Sequence, residues 1–120
     1  MAELQLFIHP KHKAAKAAER FFKERNLKYH AVDVRKKPPS PGELRRFVQR
    51  FGLDAVVDKQ AKAYVEGGWR YLQAGEEDWI ARLCADPSVL QLPLVRYGNT
   101  LAVGKDEAAW KEIAQRIKAS

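Results

Sequence analysis

The stretch that decides the fold runs from residue 4 to residue 22 and reads LQLFIHPKHKAAKAAERFF. Its first five residues form a largely apolar run, which is typical of a strand buried in the centre of a sheet. Pro10 lies in the turn that follows, and proline is tolerated in the first turn of a helix. From Lys13 onward, alanines and phenylalanines repeat at helical spacing opposite a charged face. The stretch therefore predicts a strand, a turn and an amphipathic helix that stops near Asn26.

The next segments extend this unit on the C-terminal side. Residues 28–34 are rich in strand formers, so a right-handed parallel strand–helix–strand unit is expected. A proline-rich break follows, in which Ser40 and Glu43 have the spacing of a helix capping box around Pro41. The apolar spacing of residues 41–51 predicts a second helix that ends at Gly52.

The remaining segments predict mostly helices and one hairpin. A short helix is expected over residues 61–65, a longer one from residue 76, and a last one over about 106–118. Trp69 and Tyr71 look like packing residues. Residues 93–97 and 100–104 flank a Gly-Asn pair and predict a β-hairpin. Pro93 at the start of that hairpin fits an edge position or a special turn that can contain a cis peptide bond.

The order of elements predicts an α/β fold, with a four-stranded mixed sheet flanked by helices. The 120 residues correspond to one domain, residues 1–120, with a mostly helical insertion at about 41–90. No apolar run is long enough for a membrane span, and residues 1–10 lack the pattern of a signal peptide. The single cysteine excludes an internal disulfide and a cysteine-based zinc site. A cytoplasmic protein is therefore expected.

The positive charge lies in one half of the chain. Residues 1–50 carry 13 Lys and Arg against 5 Asp and Glu, whereas residues 51–120 carry 9 against 10. A basic half can bind nucleic acid or an acidic protein. The ordinary alternative is a solvated surface, which the scattered placement favours, because single-strand binders interleave their cations with aromatic residues.

Three stretches resemble the arsenate reductase/Spx family, whose members have a thioredoxin-like fold. YHAVDVRKKPPS at 29–40 looks like the family's Y-x-x-x-D-x-x-K-x-P-P-S, and LDAVVDKQAKAY at 53–64 is similar to its L-x-x-L-x-x-K-x-x-x-x-Y. LPLV at 92–95 and VGKDE at 103–107 are similar to its R-P-L-V and V-G-x-D-E. The resemblance covers nearly the whole chain and implies the thioredoxin-like fold.

The chain departs from this family where the chemistry takes place. The family's first loop carries a reactive cysteine at the start of a helix, where the helix N-terminus stabilises a thiolate. Aligning on Pro10 puts His12 at that cysteine, Ala15 at the second Cys or Ser, and Lys16 at the arginine of the loop. The only cysteine is Cys84.

The anion-binding arginines of the family are also missing. By the resemblance, their positions hold Asp58, Leu92 and Val103 in this chain. The resemblance therefore implies the fold without the thiol-based activity, so that the protein is expected to be a pseudoenzyme.

The candidate site is the former redox loop. Lys11, His12 and Lys13 could bind an anion at the helix start, with Pro93 as a wall of the former pocket. The positive neighbours would lower the pKa of His12. The ordinary alternative is a surface histidine in a site that has lost its function. A metal site of His9, His12 and His30 is not expected, because transition metals need three or four ligands in defined geometry, and no cofactor is expected.

Cys84 shares an apolar helical stripe with Trp79, Ile80 and Leu83 and is expected to pack there as a small buried hydrophobe. The function that fits best is a non-catalytic protein-binding or transcription-regulatory module. Spx-type relatives contact RNA polymerase, and the resemblance implies such a partner. The alternatives are an anion-binding protein or enzyme that uses Lys11, His12 and Lys13, and weak nucleic-acid binding through the basic half.

Overall fold

A four-stranded mixed sheet forms the centre of the computed structural model, which describes residues 3–119. Its strands stand in the order β2-β1-β3-β4. The central strand β1 is parallel to β2 and antiparallel to β3, and β3 forms a hairpin with β4. The mixed sheet, its parallel pair and its hairpin are confirmed, with strand ends within two residues of the predicted ones. The strands are β1 (Leu4–Ile8), β2 (His30–Asp33), β3 (Leu94–Tyr97) and β4 (Thr100–Val103).

Six helices surround this sheet in the described part of the chain, together with two short 3₁₀ turns, Trp69–Tyr71 and Pro87–Val89. The helical insertion between the two halves of the sheet holds α2 to α5 and both turns. The sequence did not predict α3 or the 3₁₀ turns. The helices are α1 (Lys13–Glu24), α2 (Pro41–Phe51), α3 (Leu53–Val56), α4 (Lys62–Glu66), α5 (Glu76–Ala85) and α6 (Glu107–Ala119).

Local signals set the helix ends as expected. The Ser40 hydroxyl accepts the Glu43 N–H at 3.2 Å, and the Glu43 carboxylate accepts the Ser40 N–H at 3.0 Å, so the capping box is complete. Asn26, just after α1, has a φ of 56°, and Gly52, just after α2, has a φ of 90°. Both values lie in the left-handed region that asparagine and glycine tolerate best.

One hydrophobic cluster joins the sheet to α1 and α6, which flank the helical insertion in the sequence, and to α2 within that insertion. Phe21 and Phe22 of α1 meet Trp110 of α6, with ring centroids 5.6 and 6.5 Å from the Trp110 ring. Leu44 and Phe47 of α2 are fully buried in the same cluster. No helix within residues 3–119 is long and apolar enough to cross a membrane.

The strand register defines two opposite ends of the sheet. Ile8, the last residue of β1, leads into the turn before α1, so we call this end the His12 end. Leu4, the first residue of β1, pairs with Tyr97, and the Gly98–Asn99 turn follows directly. We call this second end the hairpin end.

Candidate functional site

His12 is the residue that caps the start of α1. Its Nδ1 accepts the N–H of Ala15 at 3.4 Å, at the long end of the hydrogen-bond range. The preceding turn is held by His9, whose carbonyl accepts the His12 N–H at 2.9 Å and whose Nδ1 accepts the Lys11 N–H at 3.1 Å. Two imidazoles therefore organise the loop in which the family carries its thiol chemistry.

The pKa of His12 is lowered, which confirms the predicted direction but not its cause. Partial burial, which disfavours the imidazolium, is the main reason, and His9 lowers the pKa further. The carboxylate of Asp58 acts in the opposite sense. The neighbouring lysines, which the sequence suggested as the cause, are exposed to solvent, where their field is screened. His12 is therefore mainly neutral at pH 7.

The anion site predicted at Lys11, His12 and Lys13 keeps two backbone donors. The N–H groups of Lys13 and Ala14 have no hydrogen-bond acceptor within residues 3–119. Both lysine side chains are exposed, so they can reach an anion. They would bind it in contact with solvent, where an ion pair contributes little free energy.

Pro93 lies at the His12 end of the sheet, just before β3. It is buried, and its carbonyl accepts the N–H of Gly104 at 2.9 Å. The Leu92–Pro93 peptide bond is cis, one of the options that the sequence left open. The resemblance had placed Leu92 at a position where the family carries an anion-binding arginine, and this leucine is buried too.

The cleft beside this site carries negative charge. It has a volume of about 440 Å³ and includes Asp58, which is near enough to affect the pKa of His12. Asp54 lines it too and pairs with Lys59 at 3.2 Å, whereas Asp58 forms no ion pair within residues 3–119. An oxyanion would therefore meet the carboxylate of Asp58 at a position where the family resemblance implies an arginine. The other lining residues are Val57, Gln60 and Gln91.

The structure does not bring the three histidines together. His30 pairs with Gln5 in the sheet and lines a separate cleft towards the hairpin end. His9 and His12 stay in the loop before α1. Within residues 3–119, no three His, Cys, Asp or Glu side chains are placed to share a metal ion.

Cys84 lies on α5 and packs against the hydrophobic cluster, although it is partly rather than fully buried. Its burial raises the pKa of the thiol, and the carboxylate of Glu43 raises it further. A raised pKa keeps the group a thiol at neutral pH, which is the opposite of what a nucleophilic cysteine requires. Cys84 therefore occupies an electrostatic setting unlike that of a helix N-terminus.

The aromatic residues of the insertion divide into buried and exposed ones. Trp69 is buried, with its ring 5.6 Å from that of the half-buried Trp79 and under the Arg82 guanidinium. The packing role expected for Tyr71 is wrong, because this side chain is 73% exposed. It ends a 3₁₀ turn and lies under the Arg70 guanidinium, 4.8 Å from the ring centroid. Val65 on α4 is also exposed, at 61%.

Comparison with known proteins matches this chain to one family. The sequence model of the ArsC family matches residues 7–113. The uncharacterized protein YusI of Bacillus subtilis (strain 168) is 22% identical over 118 residues, which covers 91% of this chain and 96% of YusI.

The fold is shared with solved structures of low sequence identity. Arsenate reductase from Vibrio cholerae has a TM-score of 0.81 at 17% identity, covering 93% of this chain and 98% of its own. A protein related to the ArsC family from Bacteroides fragilis has a TM-score of 0.83 at 20% identity, covering 92% and 97%. These matches show a thioredoxin-like α/β fold. Since the family model covers most of its length, the chain belongs to the ArsC family.

Proposed function

We propose that this chain is an ArsC-family protein without thiol catalysis, and that it acts by binding another protein. The observation that carries the proposal is the imidazole of His12 at the start of α1. The family mechanism requires a thiolate at that position. A neutral imidazole whose Nδ1 already accepts a backbone N–H does not provide one.

The rest of the site supports the same conclusion. The only sulfhydryl is Cys84 on α5, and its raised pKa keeps it protonated. At the three arginine positions inferred from the family resemblance, Asp58 is acidic, while Leu92 and Val103 are apolar. An arsenate ion at this site would therefore meet neither a thiolate to attack it nor the arginines that would bind it.

A surface suited to a protein partner lies on the helical insertion. In the described part of the chain, Val65 and Tyr71 are the large apolar side chains that are exposed to solvent, and the Arg70 guanidinium stands over the Tyr71 ring. We call these three residues the α4 surface. Tyrosine and arginine are enriched at the centres of protein interfaces. Trp69, Trp79 and Arg70 line an adjoining cleft of about 310 Å³ that could receive a partner side chain.

The family resemblance makes RNA polymerase one candidate partner. The net charge of +7, concentrated in residues 1–50, would raise the rate of encounter with an acidic surface. The α4 surface would then supply most of the binding energy, because exposed charges contribute little once the complex is formed.

The absence of thiol catalysis is tested by an arsenate reduction assay with glutathione or thioredoxin as reductant. We expect no turnover above the uncatalysed rate, either for the chain itself or for Cys84→Ala. Thiol-dependent turnover that Cys84→Ala abolishes would refute the assignment, because Cys84 would then act as a nucleophile.

Partner binding is tested with purified RNA polymerase on a biosensor surface and by affinity capture. The double variant Val65→Ser, Tyr71→Ser removes the apolar part of the α4 surface. Its control, Lys111→Ser with Gln115→Ser, alters two exposed residues of α6. We expect a partner retained by the parent and by the control but lost from the first variant. Equal retention by all three would exclude the α4 surface as the binding site.

A second candidate function is anion binding at Lys11, His12 and Lys13. The free N–H groups of Lys13 and Ala14 favour it, and the carboxylate of Asp58 opposes it. A phosphate titration followed through the amide resonances of residues 11–15 tests it, with Lys11→Ala, Lys13→Ala as the variant. If these resonances stay fixed at tens of millimolar phosphate in low salt, the site binds no anion.

A further inference from the structure

A further cleft, separate from the His12 loop, opens at the hairpin end of the sheet. It lies between the C-terminal half of α2 and the β3–β4 turn and has a volume of about 390 Å³. The sheet register puts it at the opposite end from His12, because the turn follows Tyr97, the partner of Leu4. The lining residues are Arg46, Gln49, Arg50, Gly98, Asn99 and Leu101.

Two unpaired arginines dominate this cleft. Arg46 and Arg50 lie four residues apart on one exposed face of α2, where like charges repel and destabilise the helix. Neither forms an ion pair within residues 3–119, although Arg50 stands 5.1 Å from the centroid of the Phe51 ring. By contrast, Arg45 on the same helix holds Glu77 through two hydrogen bonds of 2.9 and 2.8 Å.

A side-chain hydrogen bond holds the turn on the opposite wall in shape. The Nε of Arg96 donates to the carbonyl oxygen of Gly98 at 3.1 Å. Gly98 has a φ of 60°, which glycine adopts without strain. Asn99 of this turn and Gln49 of α2 both line the cleft, so each can offer an amide group to a ligand. The ligand would therefore meet guanidinium and amide donors from two separate elements.

This donor set fits a phosphate group better than a single carboxylate. A phosphate monoester carries about −1.5 to −2 charges at neutral pH and three strong acceptor oxygens. Two guanidinium forks can each bind it through a pair of hydrogen bonds, and the amides can bind a third oxygen. The lining contains no aromatic ring on which a nucleobase could stack, which disfavours a single-stranded nucleic acid.

We infer that the cleft between α2 and the β3–β4 turn binds the phosphate group of a small ligand, through Arg46, Arg50 and the amide of Asn99. This inference goes beyond the proposed partner binding, since it concerns a different surface. Nor does it depend on the anion site at the start of α1. A failure of either proposal leaves the other unaffected.

The test is an NMR titration of the full chain in low salt with inorganic phosphate and, separately, with ribose 5-phosphate. We expect both to shift the backbone amides of residues 98–101 and the side-chain amide of Asn99. Arg46→Gln combined with Arg50→Gln should weaken binding about tenfold or more, because it removes both charge-assisted hydrogen-bond donors. Tighter binding of the sugar phosphate would identify an organic ligand, and equal binding would identify free phosphate.

The matched control is Arg20→Gln combined with Lys23→Gln, which removes the same charge from an exposed face of α1. The control should bind like the parent. Equal weakening in both double variants would show that only the net charge matters and would overturn the inference. Amide chemical-shift changes confined to residues 11–15 would also overturn the inference, because phosphate would then bind at the start of α1. A single-stranded RNA that shifts residues 98–101 while both phosphates leave them unmoved would assign the cleft to nucleic acid instead.

Discussion

At the scale of single residues, one side chain decides what the start of α1 can do. A helix N-terminus stabilises a negative charge, so a cysteine there becomes a thiolate. Imidazole responds in the opposite way, because the same partial positive charge and the burial of His12 both disfavour its protonated form. The nearby Asp58 carboxylate offsets this only in part. The same backbone geometry thus holds a neutral capping group in place of a nucleophile.

The lowered pKa of His12 makes stability depend on pH. Between the lowered value and the ordinary 6.5, the unfolded chain binds a proton at this residue more readily than the folded one. The free energy of unfolding should therefore fall as the pH drops from 7 to 5. In His12→Asn, which caps well and does not titrate, the fall should be smaller. Urea denaturation at pH 7, 6 and 5 measures both slopes, and identical slopes would contradict the assignment.

The raised pKa of Cys84 predicts slow alkylation. Only the thiolate reacts, so the rate of reaction with iodoacetamide should be below that of free cysteine at pH 8. The rate should rise with pH through a midpoint above the ordinary value for a thiol. Glu43→Gln removes one of the two causes and should move that midpoint down. A midpoint below the ordinary value would show that the thiol is activated.

At the scale of elements, those with local signals were predictable from the sequence. Helix α2 was predicted with its bounds because Ser40, Glu43 and Gly52 act within a few residues of its ends. The short helix α3 was not, since four residues show no periodicity. Backbone hydrogen bonds to residues distant in the chain hold this segment instead. The Gln91 N–H donates to the carbonyl oxygen of Val56, the last residue of α3, at 2.8 Å, and the N–H of Asp58, just after α3, donates to that of Val89 at 2.7 Å.

Gly52, between α2 and α3, is a glycine at which a side chain should be costly. Its φ of 90° is strained for any L-residue, so Gly52→Ala should lower the free energy of unfolding by about 1–3 kcal/mol. Gly42 in the first turn of α2 has open space around a new Cβ and no positive φ. Gly42→Ala should therefore leave stability unchanged or raise it by about 0.4–1 kcal/mol. Urea denaturation of both variants provides the comparison; equal effects would contradict the role of φ.

At the scale of the whole molecule, sites were harder to predict than the fold. Lys11, His12 and Lys13 are adjacent in the chain, so a pattern could find them. The cleft at the hairpin end joins Arg46 and Arg50 to a turn nearly fifty residues later, and only the folded sheet brings these together. Likewise, spacing along the chain does not show that the carboxylate of Asp58 lies near enough to His12 to raise its pKa, because sequence spacing does not report distance across a fold. Only the family resemblance, which put Asp58 at an anion-binding arginine position, pointed to this site.

The insertion at about 41–90 shares its hydrophobic core with the sheet, and this predicts how the molecule unfolds. Phe47 of α2 and Ile80 of α5 belong to the same buried cluster as Leu6 of β1 and Trp110 of α6. The chain should therefore unfold in one transition, as small single domains usually do. Phe47→Ala should lower the free energy of unfolding by about 3–5 kcal/mol, the usual cost of emptying a buried aromatic site.

Because the core is shared, this loss should affect the sheet as much as the insertion. In urea titrations followed by NMR, amide signals of α5 and β1 should disappear at one common midpoint, in the parent and in Phe47→Ala alike. Lys111→Ala on the exposed face of α6 is the control and should stay within about 0.5 kcal/mol of the parent. If α5 loses its signals at lower urea than β1, the insertion unfolds separately. The proposed binding through the α4 surface would then involve local unfolding, whereas a common midpoint would mean that the proposed partner meets a surface already held in place by the sheet.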